Sequence, residues 1–353
     1  MKTIKNEFEK VSSFENLQKA HIEARRGKRN KKQVIEFEIN LNYNLYKLKD
    51  ELDRKTYQIG AYNKFLVKEP KEREIMALHY RDRVVQHSFC DNVIEPYFDK
   101  KLDYDNAACR KGKGTHFALD RLKSFARAGY NKWGTDFYVL KCDISKYFYN
   151  IRHDILKKDL YRHFSDKELI WLLDVIIDST KGNTGIPIGN MTSQWFAIFY
   201  LDKMDKFIRK ELDIKYYSRY MDDFVLIHKD KDYLKECLKK IKAFLKEEMD
   251  LELNSKTQIF PIKNGVDFLG FHTYLTKTGK VIRKIRRKSK QAMRRKVKCF
   301  NSAYEAGKLS MQAIRQSTAS WRGHAKHGNT FYLRGNILSK LIFRRPSNEA
   351  NPN

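Results

Sequence analysis

The sequence predicts an α+β fold, and three observations carry that reading. Residues 137–143 form a mostly apolar run, as a buried strand requires. Residues 216–220 and 224–228 are two further strand-like runs, separated by a very short turn. Around them apolar residues recur at helical spacing, and strands and helices do not alternate strictly.

The other elements follow along the chain. Thr192 or Ser193 is expected to cap a helix carrying Trp195, Phe196, Phe199, Tyr200 and Phe207. Asp232 is expected to cap another, with Tyr233, Leu234, Cys237, Leu238, Ile241, Phe244 and Leu245 on one face. Residues 283–298 hold no acidic side chain, and Met293, Val297, Phe300 and Tyr304 fall at helical spacing within and beyond them. That pattern predicts a helix with one apolar stripe and a cationic remainder, suited to a phosphate backbone. A solvated, lysine-rich face is the plainer alternative. The tail from Pro346 is polar and expected to fray. There is no internal repeat and no low-complexity linker.

Composition narrows the partners. The chain has 353 residues, 41% of them hydrophobic, enough for a full core without metal or disulfide staples. Its net charge is +29, and its pI is near 9.7. With 20 tyrosines and 22 phenylalanines among the cations, the balance favours nucleic acid, whose unpaired bases stack on aromatic faces. A lysine-rich, AT-rich genome would account for part of the excess. No apolar run approaches the length of a membrane span, so no membrane partner is expected. The first residues show no apolar signal region. The five cysteines form no CxxC pair, which argues against a zinc site or a disulfide framework and for a reducing, cytoplasmic location.

The chemistry concentrates at the short turn. Asp222 and Asp223 are adjacent at the tip of an otherwise apolar hairpin, and Asp143 ends the upstream strand. An aspartate pair in a turn is weak on its own, because aspartate favours turns through local hydrogen bonds. Three carboxylates on neighbouring strand ends can instead hold two divalent cations about 4 Å apart. Oxygen-only ligands favour Mg²⁺ over zinc.

On these residues the chain resembles the reverse transcriptases. Arg219-Tyr220-Met221-Asp222-Asp223-Phe224 is similar to their YxDD box, and 141–148 to the first catalytic strand. The turn and helix start at 185–194, the lysine motif at 254–257 and the primer-gripping hairpin at 268–271 follow in family order. Upstream, 70–75 looks like the fingers hairpin, and 82–87 and 110–116 match further boxes, so the resemblance runs from about 57 to 275. Most reverse transcriptases have a PQG turn followed by SP. This chain has Pro187-Ile188-Gly189, then Ser193-Gln194, as do the reverse transcriptases of diversity-generating retroelements. Residues 319–325 and 329–330 resemble that subfamily's thumb.

The resemblance implies a right-hand polymerase: fingers, a palm with an antiparallel sheet, and a helical thumb. The expected division is an N-terminal region and fingers with interleaved palm parts at 1–135, palm at 136–275, basic thumb at 276–345 and a disordered tail at 346–353. It implies synthesis of cDNA with selective misincorporation opposite template adenines, using two Mg²⁺ ions and dNTP substrates. The implied partners are a template-repeat RNA that supplies the priming end, the cDNA, and a small basic accessory variability protein that forms a pentamer. A bacterial or phage origin comes with it. A group II intron-like or defence-associated reverse transcriptase is the alternative.

Roles follow residue by residue. Asp143 and Asp222, with Asp223 in support, are the expected metal ligands, and the Ile144 carbonyl completes one shell. Phe148, five residues after Asp143, stands where the family has a steric gate against ribonucleotides; a core aromatic is the other reading. Lys71 and Arg73 are expected to hold the triphosphate, and Arg110 and Lys111 to touch the incoming nucleotide or the template. Lys256 is either the general acid for pyrophosphate or one more exposed lysine. Gly189 permits a positive φ beside the nascent pair, and Gln194 follows it in the nucleotide site. Ile188 cannot make the hydrogen bond to the nucleotide's sugar that the usual glutamine makes. Phe268, Leu269 and Gly270, with Arg283, Lys284, Arg286, Arg287, Arg294 and Arg295, are expected to grip primer and template. His324 and His327 have no ligand companions in the sequence and read as thumb surface or nucleic-acid contacts.

Overall fold

The computed structural model describes residues 3–68 and 72–343. Pro70 and Lys71 of the expected fingers hairpin, and the tail from Pro346, lie outside the described residues.

Nine strands occur among the described residues: β1 Asn63–Val67, β2 Arg73–Ala77, β3 Tyr138–Asp143, β4 Tyr216–Tyr220, β5 Asp223–His228, β6 Gln258–Pro261, β7 Val266–Phe268, β8 Phe271–Leu275 and β9 Val281–Ile285. They form three sheets. β1 and β2 pair antiparallel, Asn63 opposite Ala77 and Val67 opposite Arg73, as a two-stranded hairpin. A four-stranded sheet has the order β4-β5-β3-β6, which sets the end of β3 beside the start of β5. β7, β8 and β9 make an antiparallel meander. Mixed helices and antiparallel strands give the α+β class expected from the sequence.

The chain divides into two compact units, each assembled from separate stretches. The first comprises 1–114, 141–225 and 235–258; the second comprises 115–140, 226–234 and 259–353.

In the first unit, helix Phe14–Ala24 and helix Tyr80–Phe89 bury Leu17, Ala20, Val84, Val85 and Phe89. The N-terminal segment is tied down by an isolated parallel bridge between Ile4 and Phe164. Next to it, the buried Asp166 serves two helix starts at once. Its Oδ1 accepts the N–H groups of Glu168 and Leu169, capping helix Lys167–Ile177. Its Oδ2 accepts those of Glu7 and Phe8 at 2.9 and 3.2 Å. Amides that a helix start leaves unpaired thus meet a carboxylate, which the positive end of the helix dipole also favours.

In the second unit, helix Arg287–Glu305 carries the apolar stripe read from the sequence. Met293 and Val297 are buried with Ile337, and Phe300, Trp321 and Leu333 pack around them. The strongly basic segment is not one helix, however. Arg283 and Lys284 belong to β9, and the helix begins at Arg287.

Two expected caps differ. Asp230, not Asp232, accepts the N–H groups of Asp232 and Tyr233 at the start of helix Lys231–Met249. Thr192 and Ser193 lie inside helix Met191–Tyr200, both buried, and Asn190 precedes it without a side-chain cap.

Replacing Asp166 with alanine removes two caps of about 1 kcal/mol each, so Asp166→Ala should lower stability by about 2 kcal/mol. Urea unfolding checks this, with Asp166→Asn expected to lose less.

Candidate active site

The site is built on the ends of β3 and β5. Val139, Leu140 and Cys142 are buried. Lys141 and Asp143 are half-exposed and, being two residues apart in a strand, share a face. β4 and β5 are joined by Met221 and Asp222 alone. So tight a turn needs left-handed backbone, and Met221 supplies it with φ 55°. The N–H of Ile144 donates to the Asp222 carbonyl at 3.3 Å, tying the residue after Asp143 to the turn. The Asp143 carbonyl accepts the N–H of Asn254 at 2.7 Å, and Ser145 donates to the Glu252 carbonyl at 2.9 Å. The 252–254 segment therefore braces β3 on the other side, just before Lys256.

Like charges meet here. Burial pushes the Asp223 carboxyl up to about 6, and the Asp143 and Asp222 charges push the same way against the pull of Lys141. Lys141 Nζ donates to Asp223 Oδ1 at 2.7 Å. Lys141 was not singled out in the sequence, yet its place two residues before Asp143, on the less buried face of the strand, is a legible signal. Among the described residues no group of three or more His, Cys, Asp or Glu side chains is gathered to hold a metal ion. Asp223, expected with the ligands, is paired with Lys141. The crowding of carboxylates and the all-oxygen donor set fit a hard divalent cation on Asp143, Asp222 and the Ile144 carbonyl.

The 185–189 turn is bonded to the segment that follows β3. Ile186 donates its N–H to the Phe148 carbonyl at 2.9 Å. Phe148 is half-buried, edge-on to Tyr147 with ring centroids 5.8 Å apart. The Ile188 carbonyl accepts the N–H of Met76, at 3.0 Å, so this turn is joined to β2. Gly189 has φ 121°, and a Cβ there would stand 3.2 Å from Ile75 Cγ2, so both backbone and space call for glycine.

Residues 67–273, more than half of the chain, match the model of the family described as Reverse transcriptase (RNA-dependent DNA polymerase). The chain belongs to the reverse transcriptase family. Protein YkfC of Escherichia coli is 25% identical in an alignment of 267 positions that covers 63% of this chain and 69% of that protein. The putative COX1/OXI3 intron 1 and intron 2 proteins of Saccharomyces cerevisiae are 24% and 22% identical over 50% and 67% of this chain. The chain spans only 21% and 35% of their lengths. Among solved structures it is similar to telomerase from Candida albicans in complex with a TWJ fragment of telomeric RNA. The TM-score is 0.51 at 11% identity, over 82% of this chain and 61% of that one. The fold is thus that of the right-hand polymerases.

The remaining expected contacts of this reverse transcriptase divide by exposure. Arg73, at the start of β2, and Lys256 are exposed, the latter in a loop fixed by its N–H to Asn254 Oδ1 at 3.0 Å. Gln194 is exposed and accepts the Cys109 thiol at 3.1 Å. Lys111 is exposed, pairs with Glu95 at 3.1 Å and lines a cleft of about 830 Å³ that also holds Lys19, Arg26, Lys113 and Trp195. Leu269 and Gly270 form the two-residue turn between β7 and β8, both with positive φ, and are partly exposed. Lys284, Arg286, Arg287, Arg294 and Arg295 are exposed.

Three expected contacts are corrected. Arg110 is buried; it binds Asp99 Oδ1 at 2.6 Å and the carbonyls of Asp99, Asp103 and Asn106, so it braces its own loop rather than reaching a nucleotide. Phe268 is fully buried under the hairpin it was expected to present. Arg283 is buried, with its guanidinium on Asp120 at 2.9 Å and on the carbonyls of Leu119 and His327. His324 and His327 are partly exposed: His324 lies 4.7 Å from the Phe271 ring, and His327 stacks on His116 at 3.3 Å.

Arg110→Ala should therefore cost about 1–3 kcal/mol of stability through the acceptors it leaves short. The KM for dNTP should stay at the wild-type value in the folded fraction; chemical unfolding and steady-state extension measure the two.

Proposed function

We propose that this reverse transcriptase copies RNA into DNA at the Asp143–Asp222 site and serves a diversity-generating retroelement. The observation that carries the catalytic part is the bond from Ile144 N–H to the Asp222 carbonyl, which brings the two carboxylate-bearing strand ends together. Asp143, Asp222 and the Ile144 carbonyl would hold Mg²⁺, which when bound makes a primer hydroxyl more acidic and neutralises charge on a triphosphate. Lys141 keeps Asp223 from adding an unanswered charge. Phe148 sits five residues after Asp143 with part of its ring exposed, as a gate against a 2′-hydroxyl needs. Lys256, on its braced loop, is suited to give a proton to the leaving pyrophosphate. Arg73 would meet the triphosphate, and Lys71 beside it has the same role by sequence. The exposed cations of helix Arg287–Glu305 suit the backbone of the primer–template duplex, with Leu269 and Gly270 at the hairpin tip.

The subfamily reading rests on Pro187-Ile188-Gly189 and Gln194. It brings a template-repeat RNA with its priming end and a pentameric accessory protein as partners. A group II intron-like enzyme is the second reading, favoured by the yeast relatives, which are intron proteins by name.

Two experiments test this. In primer extension on an RNA template, Asp222→Ala should abolish synthesis while RNA binding stays at the wild-type level. Extension by Asp222→Ala near the wild-type rate would sink the site assignment.

Ile188→Gln tests the subfamily reading. Wild-type cDNA should carry errors concentrated opposite template adenines. Glutamine adds an interaction that depends on correct placement, so correct insertion gains more than incorrect insertion. One hydrogen bond of about 0.5–1.5 kcal/mol should lower the adenine error ratio several-fold. Sequencing cDNA from both enzymes on one template, with errors counted separately at each base, measures it. Evenly spread wild-type errors would favour the intron-like reading.

A further inference from the structure

We propose that Arg219 is the positioning residue of this active site: anchored on Asp205, its guanidinium holds the Met221 carbonyl and so fixes where the Asp222 carboxylate stands. The proposal rests on the catalytic reading above. Both side chains of the pair are wholly buried. Arg219 Nε donates to Asp205 Oδ1 at 2.7 Å, and Nη2 donates to Oδ2 at 2.5 Å, a two-point fork. The Tyr217 hydroxyl also donates to Asp205 Oδ1, so the carboxylate is held from two strand positions. Nη2 donates as well to the Ile198 carbonyl at 3.0 Å. That leaves Nη1, which donates to the Met221 carbonyl at 3.0 Å.

The backbone of Arg219 is itself fixed. Its N–H donates to the Asp105 carbonyl at 3.1 Å, and its carbonyl accepts the N–H of Ala107 at 2.9 Å. The guanidinium thus connects two helices, through Ile198 and Asp205, to the one turn residue with left-handed backbone. Met221 lacks the freedom of glycine, so φ 55° persists only where the surroundings hold it. Apolar side chains of similar volume could fill the space of the ion pair, but they could not bond the Met221 carbonyl. Lysine could keep the charge but not the planar fork.

Two variants separate positioning from mere support. Arg219→Met combined with Asp205→Leu and Tyr217→Phe removes the buried polar cluster together, leaving no orphaned charge. Arg219→Lys keeps the charge on Asp205. Four quantities are read: the unfolding midpoint, affinity for a primer–template, kcat and KM for dNTP, and Mn²⁺ affinity by electron paramagnetic resonance with a chain-terminated primer, where no chemistry occurs. Displacement of a reacting group on the order of 1 Å costs on the order of a hundredfold in rate. Both variants should fold and bind primer–template as the wild type does. In the triple variant kcat should fall by about tenfold or more, with an unchanged dNTP KM, and Mn²⁺ binding should weaken several-fold. Arg219→Lys should fall between the two. A folded variant with wild-type kcat and Mn²⁺ affinity overturns the proposal. So does failure of both variants to fold, which would make the pair a folding element. Absence of extension by the wild-type chain would instead fail the polymerase reading itself.

Discussion

A charge taken out of water must be answered where it stands, and the strand ends of this protein are organised around one such answer. The Arg219–Asp205 pair has no exposed surface at all. Burial works against the Arg219 charge, yet the Asp205 carboxylate more than offsets it and holds the guanidinium above its ordinary value. Removing one partner of such a pair typically costs about 3–5 kcal/mol, because the other is left uncompensated. Two further carboxylates, Asp222 and Asp223, stand on the same hairpin and Asp143 ends the neighbouring strand, with Lys141 paired to Asp223. The two arrangements differ in kind. The buried pair is closed, its hydrogen-bonding directions filled by protein. At the strand ends like charges crowd instead, with Asp143 and Asp222 pushing the Asp223 carboxyl further up, and under the reading proposed above a divalent cation would answer that crowding.

Much of this layout was legible in the chain. The apolar run ending at Asp143 and the hairpin carrying Asp222 and Asp223 are strands because little else accommodates such runs, and they stand at the observed places. Gly189 was legible as a backbone requirement. What the sequence hid was the inward or outward fate of the cations. Arg110 and Arg283 look like Lys111 and Lys284 until their partners are known. For Arg283 the partner, Asp120, lies 163 residues away. Local charge runs carry no information of that range. The helix starts failed for a different reason. Asp230 and Asp232 are chemically equal candidates two residues apart, and only the course of the backbone chooses between them. Asp205 left a fainter mark. It lies with Leu201, Met204 and Ile208 on a buried stripe, where an acidic side chain demands a cation.

Two hairpin turns of this protein are built on left-handed backbone without glycine at that position. Met221 and Leu269 both take left-handed backbone that favours glycine, and each stands at the tip of a hairpin on the expected path of nucleic acid. Neither has a glycine's freedom, so each depends on its surroundings: the Met221 carbonyl on Arg219, and the Leu269 turn on its neighbour Gly270, where a Cβ would stand 3.3 Å from His324.

The 185–189 turn carries a consequence of another kind. Its link to β2 runs through the carbonyl of Ile188, a group every amino acid possesses. That bond uses backbone atoms alone, so it is indifferent to which side chain stands at 188. Under the reading proposed above, a substitution there would change how faithfully the template is copied while the tie between the turn and β2 stays in place.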